Sequence, residues 1–137
     1  MARVKKQHGK SVGGRAVHGG PVLRGRLWVE IARTAAFTEA GADLLEQIAA
    51  CGSLSEAARR LRFSYRRAWM LIDAMNRHWP RPLVKTAIGG KRGGGTQLTE
   101  FGRTVLSGYR DLQVQMEHLL DQASPGFLAI FPDRNVK

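Results

Sequence analysis

Cysteine, acidic residues and long apolar runs are all scarce in this sequence, and each scarcity removes a class of function. The single cysteine, Cys51, cannot build an intrachain disulfide framework; it fits a reducing compartment and reads as a small half-buried apolar residue. No apolar run reaches the length needed to span a bilayer, and the opening MARVKKQHGKSVGGRAVHGG has no apolar region behind its charges, so it is not read as a secretory signal. A cytoplasmic location with no membrane partner is expected. Carboxylates number only 11 and none pairs with a nucleophile in a recognisable motif, while His8, His18, His78 and His118 fall at no metal-ligand spacing. Neither an enzyme, a cofactor nor a metal site is expected. At 137 residues there is room for one small domain with tails and not for a large catalytic scaffold.

What is present is positive charge. Lysine and arginine total 22, giving a formal charge of +11 and a sequence pI near 11.1. Such a field favours nucleic acid or an anionic surface. Its distribution is uneven. Residues 1–26 carry Arg3, Lys5, Lys6, Lys10, Arg15, Arg24 and Arg26 with no acid, and residues 53–98 hold ten cations against Glu56 and Asp73. Residues 27–52 and 99–137 are slightly acidic. The excess is confined to a terminal arm and one central block.

Residues 1–25 are rich in glycine, lysine and arginine with little to bury, and are read as a disordered basic arm. RLWVEIARTAAF alternates Leu27, Val29 and Ile31 against Trp28, Glu30 and Ala32, the period of one strand. EAGADLLEQIAACG puts Leu44, Leu45, Ile48 and Ala49 on one helical face and ends at Gly52, a helix C-cap. Ser53 followed by Glu56 is a capping box for a short second helix with Leu54, Ala57, Ala58 and Leu61 as its apolar stripe. After a very short turn, Ser64 caps a third helix burying Ala68, Leu71, Ile72 and Met75, which stops at Pro80 and Pro82. PLVKTAIGG and GTQLT are brief strands, and Thr99 caps a long helix closed by Pro125 and Gly126.

Two short helices across a tight turn, the second opening on Tyr65, Arg66 and Arg67, form a helix-turn-helix pattern. An α-helix fits the major groove, where residues near its N-terminus meet base edges and arginine contacts guanine or phosphate. A solvated basic face is the plainer reading of the arginine pair alone. The small Ala57 and Ala58, which allow close helix approach, and the downstream hairpin favour the DNA reading. Between the last two strands lies IGGKRGGGT. A phosphate-binding loop of an enzyme needs Gly-Lys followed by Ser or Thr and then a helix. Here Lys91 is followed by Arg92 and three glycines, and then a strand. The loop is better read as a hairpin tip whose glycines let the backbone lie against a sugar-phosphate chain while Lys91 and Arg92 attract it.

GSLSEAARRLRFSYRRAWMLIDAMN, residues 52–76, and LVKTAIGGKRGGGTQLTEFG, residues 83–102, resemble the N-terminal DNA-binding domain of the ModE family of molybdate-responsive regulators, a winged helix-turn-helix related to that of LysR-type regulators. The Arg26–Trp28 segment fits its first strand, so the likeness spans residues 26–123. The resemblance implies a recognition helix over Ser64 to Arg77, a wing over Gly89 to Gly95, and a last long helix that pairs two subunits. Family members of full length continue into oxyanion-binding domains, whereas this sequence ends at Lys137. Molybdate is therefore not expected to bind this chain.

Phe101, Val105, Tyr109, Leu112, Met116, Leu119 and Ala123 recur near the 3.5-residue period of paired helices. The early part, to Leu106, is expected to pack on the domain's own core. FLAIF, residues 127–131, either folds back on the dimer or marks a partner site.

The expected fold is mainly α with a small β-wing: a winged helix-turn-helix over residues 26–123 with a long C-terminal dimerisation helix, a basic arm over 1–25 and a tail over 124–137. The expected function is sequence-specific binding of double-stranded DNA by a homodimeric transcriptional regulator, a repressor. DNA-contact candidates are Ser53, Ser55, Ser64, Tyr65, Arg66, Arg67, Lys91, Arg92, Gly93 and Gly94; dimerisation candidates are Val105, Tyr109, Leu112, Met116 and Leu119. The alternative is a sequence-tolerant architectural or nucleoid protein, because such a charge on a small chain binds any duplex.

Overall fold

The computed structural model describes residues 20–86 and 95–132. They fall into two units, one within 26–111 and the other drawn from 1–25 and 112–137. In chain order the elements are β1 Val29–Ile31, β2 Thr34–Phe37, α1 Glu39–Cys51, α2 Leu54–Leu61, α3 Tyr65–His78, β3 Val84–Thr86, β4 Thr96–Leu98, α4 Glu100–Ala123 and α5 Pro125–Leu128.

The stretch expected to be one strand is a hairpin. β1 and β2 pair antiparallel with Ile31 opposite Thr34, so Ala32 and Arg33 alone make the turn, at φ 51° and 65°. Positive φ at both central residues matches the right-handed twist of the flanking strands. That turn normally recruits glycine or asparagine, and Ala-Arg carries no such signature.

The helices form where their caps and apolar spacing place them. Thr38 Oγ1 accepts from Gly41 N–H at the start of α1, and Gly52, at φ 68°, returns its N–H to Ile48 O at the end. Leu44, Leu45 and Ile48 are buried as their spacing requires, but Ala49 is exposed. The buried face is rotated instead towards Gly41 and Ala42. Each fully buried leucine or isoleucine here contributes about 1.5–3 kcal/mol relative to exposure. Ala57, Ala58 and Ala68 are all buried, and α2 packs on α3 through these short side chains.

Phe37, Trp79, Phe101 and Tyr109 form an edge-to-face chain across the larger unit. Phe37 lies 6.1 Å from Trp79 and 5.0 Å from Tyr109, and Trp79 lies 6.0 Å from Phe101. Trp79 also donates from Nε1 to Ala36 O at 3.3 Å, so the residue after α3 is a core anchor as well as a helix stop. α4 begins at the N-cap Thr99, whose Oγ1 accepts from Gly102 N–H at 2.9 Å and donates to Pro82 O at 2.7 Å.

Tyr109, assigned by periodicity to the pairing seam, belongs to this core: it is 4% exposed and its hydroxyl donates to Leu27 O at 2.8 Å. The same stripe of α4 faces the domain's own interior through Phe101, Val105 and Tyr109. Arg110 ties the helix to α1, its Nη2 2.8 Å from Asp43 Oδ1 and its Nε 2.6 Å from Glu46 Oε1. Burial alone would pull the guanidinium pKa down, but the hydrogen bonds to Glu46 and Asp43 outweigh it and raise it.

In the smaller unit Leu112, Val114 and Leu119 are exposed, whereas Met116 is half-buried. A Cβ placed on Gly25 would lie 3.0 Å from Met116 Sδ and 3.1 Å from Leu120 Cδ1, so the chain before β1 covers that side of α4. The chain does not simply stop at Pro125. Pro125–Leu128 forms one further turn of helix, and Phe127 and Phe131 meet edge to face at 6.2 Å.

Candidate nucleic-acid interface

Ser53 Oγ accepts from Glu56 N–H at 3.2 Å and lies 3.3 Å from Ser55 Oγ, which fixes the start of α2. The reciprocal arm of the capping box is not used. Glu56 turns outward to Arg59, which grips both carboxylate oxygens at 2.9 and 2.6 Å, and to Arg60 at 3.2 Å. The Arg59 hydrogen bonds are the main reason its carboxyl is held at about 2, well below the ordinary 4.5. Glu56 therefore stays ionised at neutral pH and partly offsets the two arginines.

The turn is three residues, Arg62 to Ser64. Arg62 adopts the left-handed conformation at φ 58°, and Phe63 N–H returns to Ala58 O at 2.9 Å. This closes α2 with the 6→1 bond that usually accompanies a glycine. An arginine there stores roughly 1 kcal/mol of backbone strain, and no sequence signal announces it. Ser64 Oγ then accepts from Arg67 N–H at 3.0 Å to open α3.

The two arginines of α3 differ. Arg67 stacks its guanidinium 4.1 Å from the Phe63 ring centroid, a cation–π contact that orients it. Arg66 is exposed, and among the described residues it makes no hydrogen bond, ion pair or ring contact. Tyr65 is 55% exposed and meets Trp69 edge to face at 6.2 Å. Trp69 is 41% exposed, and its neighbour Met70 is 60% exposed.

The strands of the second hairpin are bolted to the helices. Asn76 Oδ1 accepts from Leu83 N–H at 2.9 Å and Val84 N–H at 3.3 Å, and Nδ2 donates to Val84 O at 3.2 Å. Thr96 N–H donates to Gly52 O at 3.0 Å, at the hinge between α1 and α2. β3 and β4 pair from Val84 opposite Leu98 to Thr86 opposite Thr96. This hairpin therefore leaves the body in a direction set by α1 and α3. Lys91, Arg92, Gly93 and Gly94, expected at its tip, lie outside the described residues, as do residues 1–19 of the basic arm.

Sequence reasoning missed Asn76. An asparagine in the last turn of a helix is a weak helix former with both amide groups to satisfy, which is the only signal it offers. No group of three or more His, Cys, Asp or Glu that could hold a metal occurs among the described residues. An apolar depression lined by Phe37, Gly41, Leu71 and Met75 has a volume of only about 40 Å³. That is far below a substrate pocket. No described helix is long and apolar enough to cross a membrane.

Comparison with known proteins agrees with this geometry. Residues 43–103 match the family described as bacterial regulatory helix-turn-helix protein, lysR family. The chain is 46% identical over 81 residues to the molybdenum transport protein ModE of Azotobacter vinelandii, covering 59% of this chain and 30% of that one. It is 42% identical over 86 residues to the transcriptional regulator ModE of Haemophilus influenzae, covering 60% and 34%. Over 75 residues it is 42% identical to the DNA-binding transcriptional dual regulator ModE of Escherichia coli K12, covering 55% and 28%. The chain spans about a third of the length of these relatives. The matched segment runs from α1 through the capped α2, the three-residue turn, α3 and the β3–β4 hairpin into α4, and it is over residues 43–103 that the chain is similar to the lysR regulatory helix-turn-helix family.

Proposed function

We propose that this chain binds duplex DNA sequence-specifically and regulates transcription, as a repressor, from the bound site. The observation that carries the reading is the N-terminus of α3: Ser64 caps it, Arg66 stands exposed with no partner among the described residues, and Arg67 is oriented by Phe63. An arginine so placed can lay both donors on a guanine edge, and its neighbours can hold phosphates. The names of the similar proteins, transcriptional regulator ModE among them, support the same activity.

Lys91 and Arg92 are proposed to engage backbone phosphates, where each cation displaces condensed counterions. Affinity for any duplex is expected to fall steeply as salt rises. Lys91→Ala combined with Arg92→Ala is expected to weaken all sequences alike and to reduce the slope of log affinity against log salt by about 2. Fluorescence anisotropy across a salt series checks this, and an unchanged slope removes the loop from the interface.

The architectural reading is favoured by one observation, the charge of +11, which attracts any duplex. It predicts binding without base preference. Pairing of two chains is proposed through the exposed apolar residues of α4, Leu112 and Leu119, with Met116 at their margin. Leu112→Asp with Leu119→Asp is expected to shift the chain from dimer to monomer in sedimentation velocity, and a wild-type monomer at micromolar concentration would remove the seam. Molybdate is not expected to bind this chain, since oxyanion capture needs convergent donors in a concavity. Calorimetry that found molybdate preferred over sulfate would reverse that.

A further inference from the structure

The exposed face of α3 carries an apolar group that phosphate binding does not explain. Tyr65 and Trp69 are one helical turn apart and in edge-to-face contact at 6.2 Å, with Met70 beside them. Their exposures are 55%, 41% and 60%. A solvated helix face would carry charge here. The charged pair on the same face, Asp73 and Arg77, neutralises itself through an i, i+4 ion pair. Among the described residues of α3, that leaves Arg66 as an exposed cation without a partner beside two rings and a thioether. A long apolar surface costs solubility unless a partner covers it, and this patch adjoins the arginine assigned above to a base edge.

The major groove offers one apolar feature, the C5-methyl group of thymine. Aromatic rings and a methionine side chain have no ionic interaction to make with phosphate. They can exclude water from a methyl group lying between them. The ring contact restrains both side chains, so less conformational freedom is lost when they meet the groove.

We propose that Tyr65, Trp69 and Met70 form a plate that selects thymine by its methyl group, beside the base that Arg66 reads. The proposal rests on the DNA-binding reading above and names the chemistry of the base that this part of α3 takes. A half-site should then combine a position where Arg66 dominates with one or two adjacent positions requiring thymine. At these, uracil, identical in its hydrogen-bonding edge but lacking the methyl, should be discriminated against.

The test begins with selection of bound duplexes from a random pool. The selected duplex is then remade with deoxyuridine in place of each thymidine in turn, and affinities are measured by anisotropy. The wild type is expected to lose about fourfold at one or two positions, the equivalent of one buried methyl group. Trp69→Ala and Met70→Ala are expected to bind the thymine duplex more weakly and to lose the thymine–uracil difference, whereas Arg66→Ala keeps it. Because the first comparison uses the wild-type chain, it does not depend on any variant folding. Indifference to uracil at every position of a selected duplex overturns the plate and leaves sequence-specific binding standing. A thymine–uracil difference that survives both Trp69→Ala and Met70→Ala overturns the assignment to these residues. Failure to select any motif overturns the plate together with the reading it rests on.

Discussion

Replacing Gly102 by alanine is expected to destabilise the fold by about 3 kcal/mol or more, at the upper end of what single substitutions do. A Cβ there would lie 2.1 Å from Leu83 O and 2.9 Å from Leu83 C, where α4 crosses the start of the second hairpin. These are backbone atoms and cannot turn aside as a side chain would. Leu83 is also held on both sides: its N–H donates to Asn76 Oδ1 at 2.9 Å and its carbonyl accepts from Thr99 N–H at 2.9 Å. Relief of the clash would break those bonds or lift α4 from the core. Gly108, in the same helix, has nothing within 4 Å of a Cβ position. There alanine is expected to raise stability by about 0.5–1 kcal/mol, because only the backbone entropy of glycine changes. Thermal unfolding followed by circular dichroism separates the two, and a Gly102→Ala protein that melts with the wild type would refute the crossing.

The second large effect is expected at Arg110. Its side chain is 26% exposed and joins α4 to Asp43 and Glu46, which are 27% and 25% exposed on α1. Arg110→Leu leaves two neighbouring carboxylates partly buried with their cation gone, at a cost of about 2–3 kcal/mol. Most of that cost is the stranded charge, so adding Asp43→Asn and Glu46→Gln is expected to recover at least half of it. Urea denaturation of the single and combined variants measures the coupling. Strictly additive losses would show that the three side chains do not act together.

The sequence made the helix-turn-helix legible because its signals are local. Ser53, Ser64 and Thr99 each cap the helix that follows, Gly52 closes α1 at positive φ, and Ala57, Ala58 and Ala68 are buried as their spacing demands. What escaped depends on chain segments far apart or on residues in unaccustomed conformations. The first hairpin was hidden because Ala32 and Arg33 take a turn usually built from glycine and asparagine. Tyr109 was misplaced because one helical period serves two purposes along α4, and spacing alone cannot say where a core ends and an exposed seam begins. Its hydroxyl meets Leu27, 82 residues away in sequence. Asn76 was invisible for a similar reason: its partners belong to the following hairpin. At the candidate interface Arg66 and Arg67 could be named from sequence, but not the stacking on Phe63 that distinguishes them, nor the exposure of Met70.

The central claim is that α3 reads base sequence, and its most direct test is selection of bound duplexes from a random pool near physiological salt, with wild type and Arg66→Ala in parallel. The wild type is expected to return a defined motif containing a guanine, and Arg66→Ala to lose preference at that position by about 1–3 kcal/mol while keeping the remainder of the motif. A wild-type pool with no motif, bound tightly and equally at every sequence, would contradict the claim and identify the chain as an architectural DNA-binding protein.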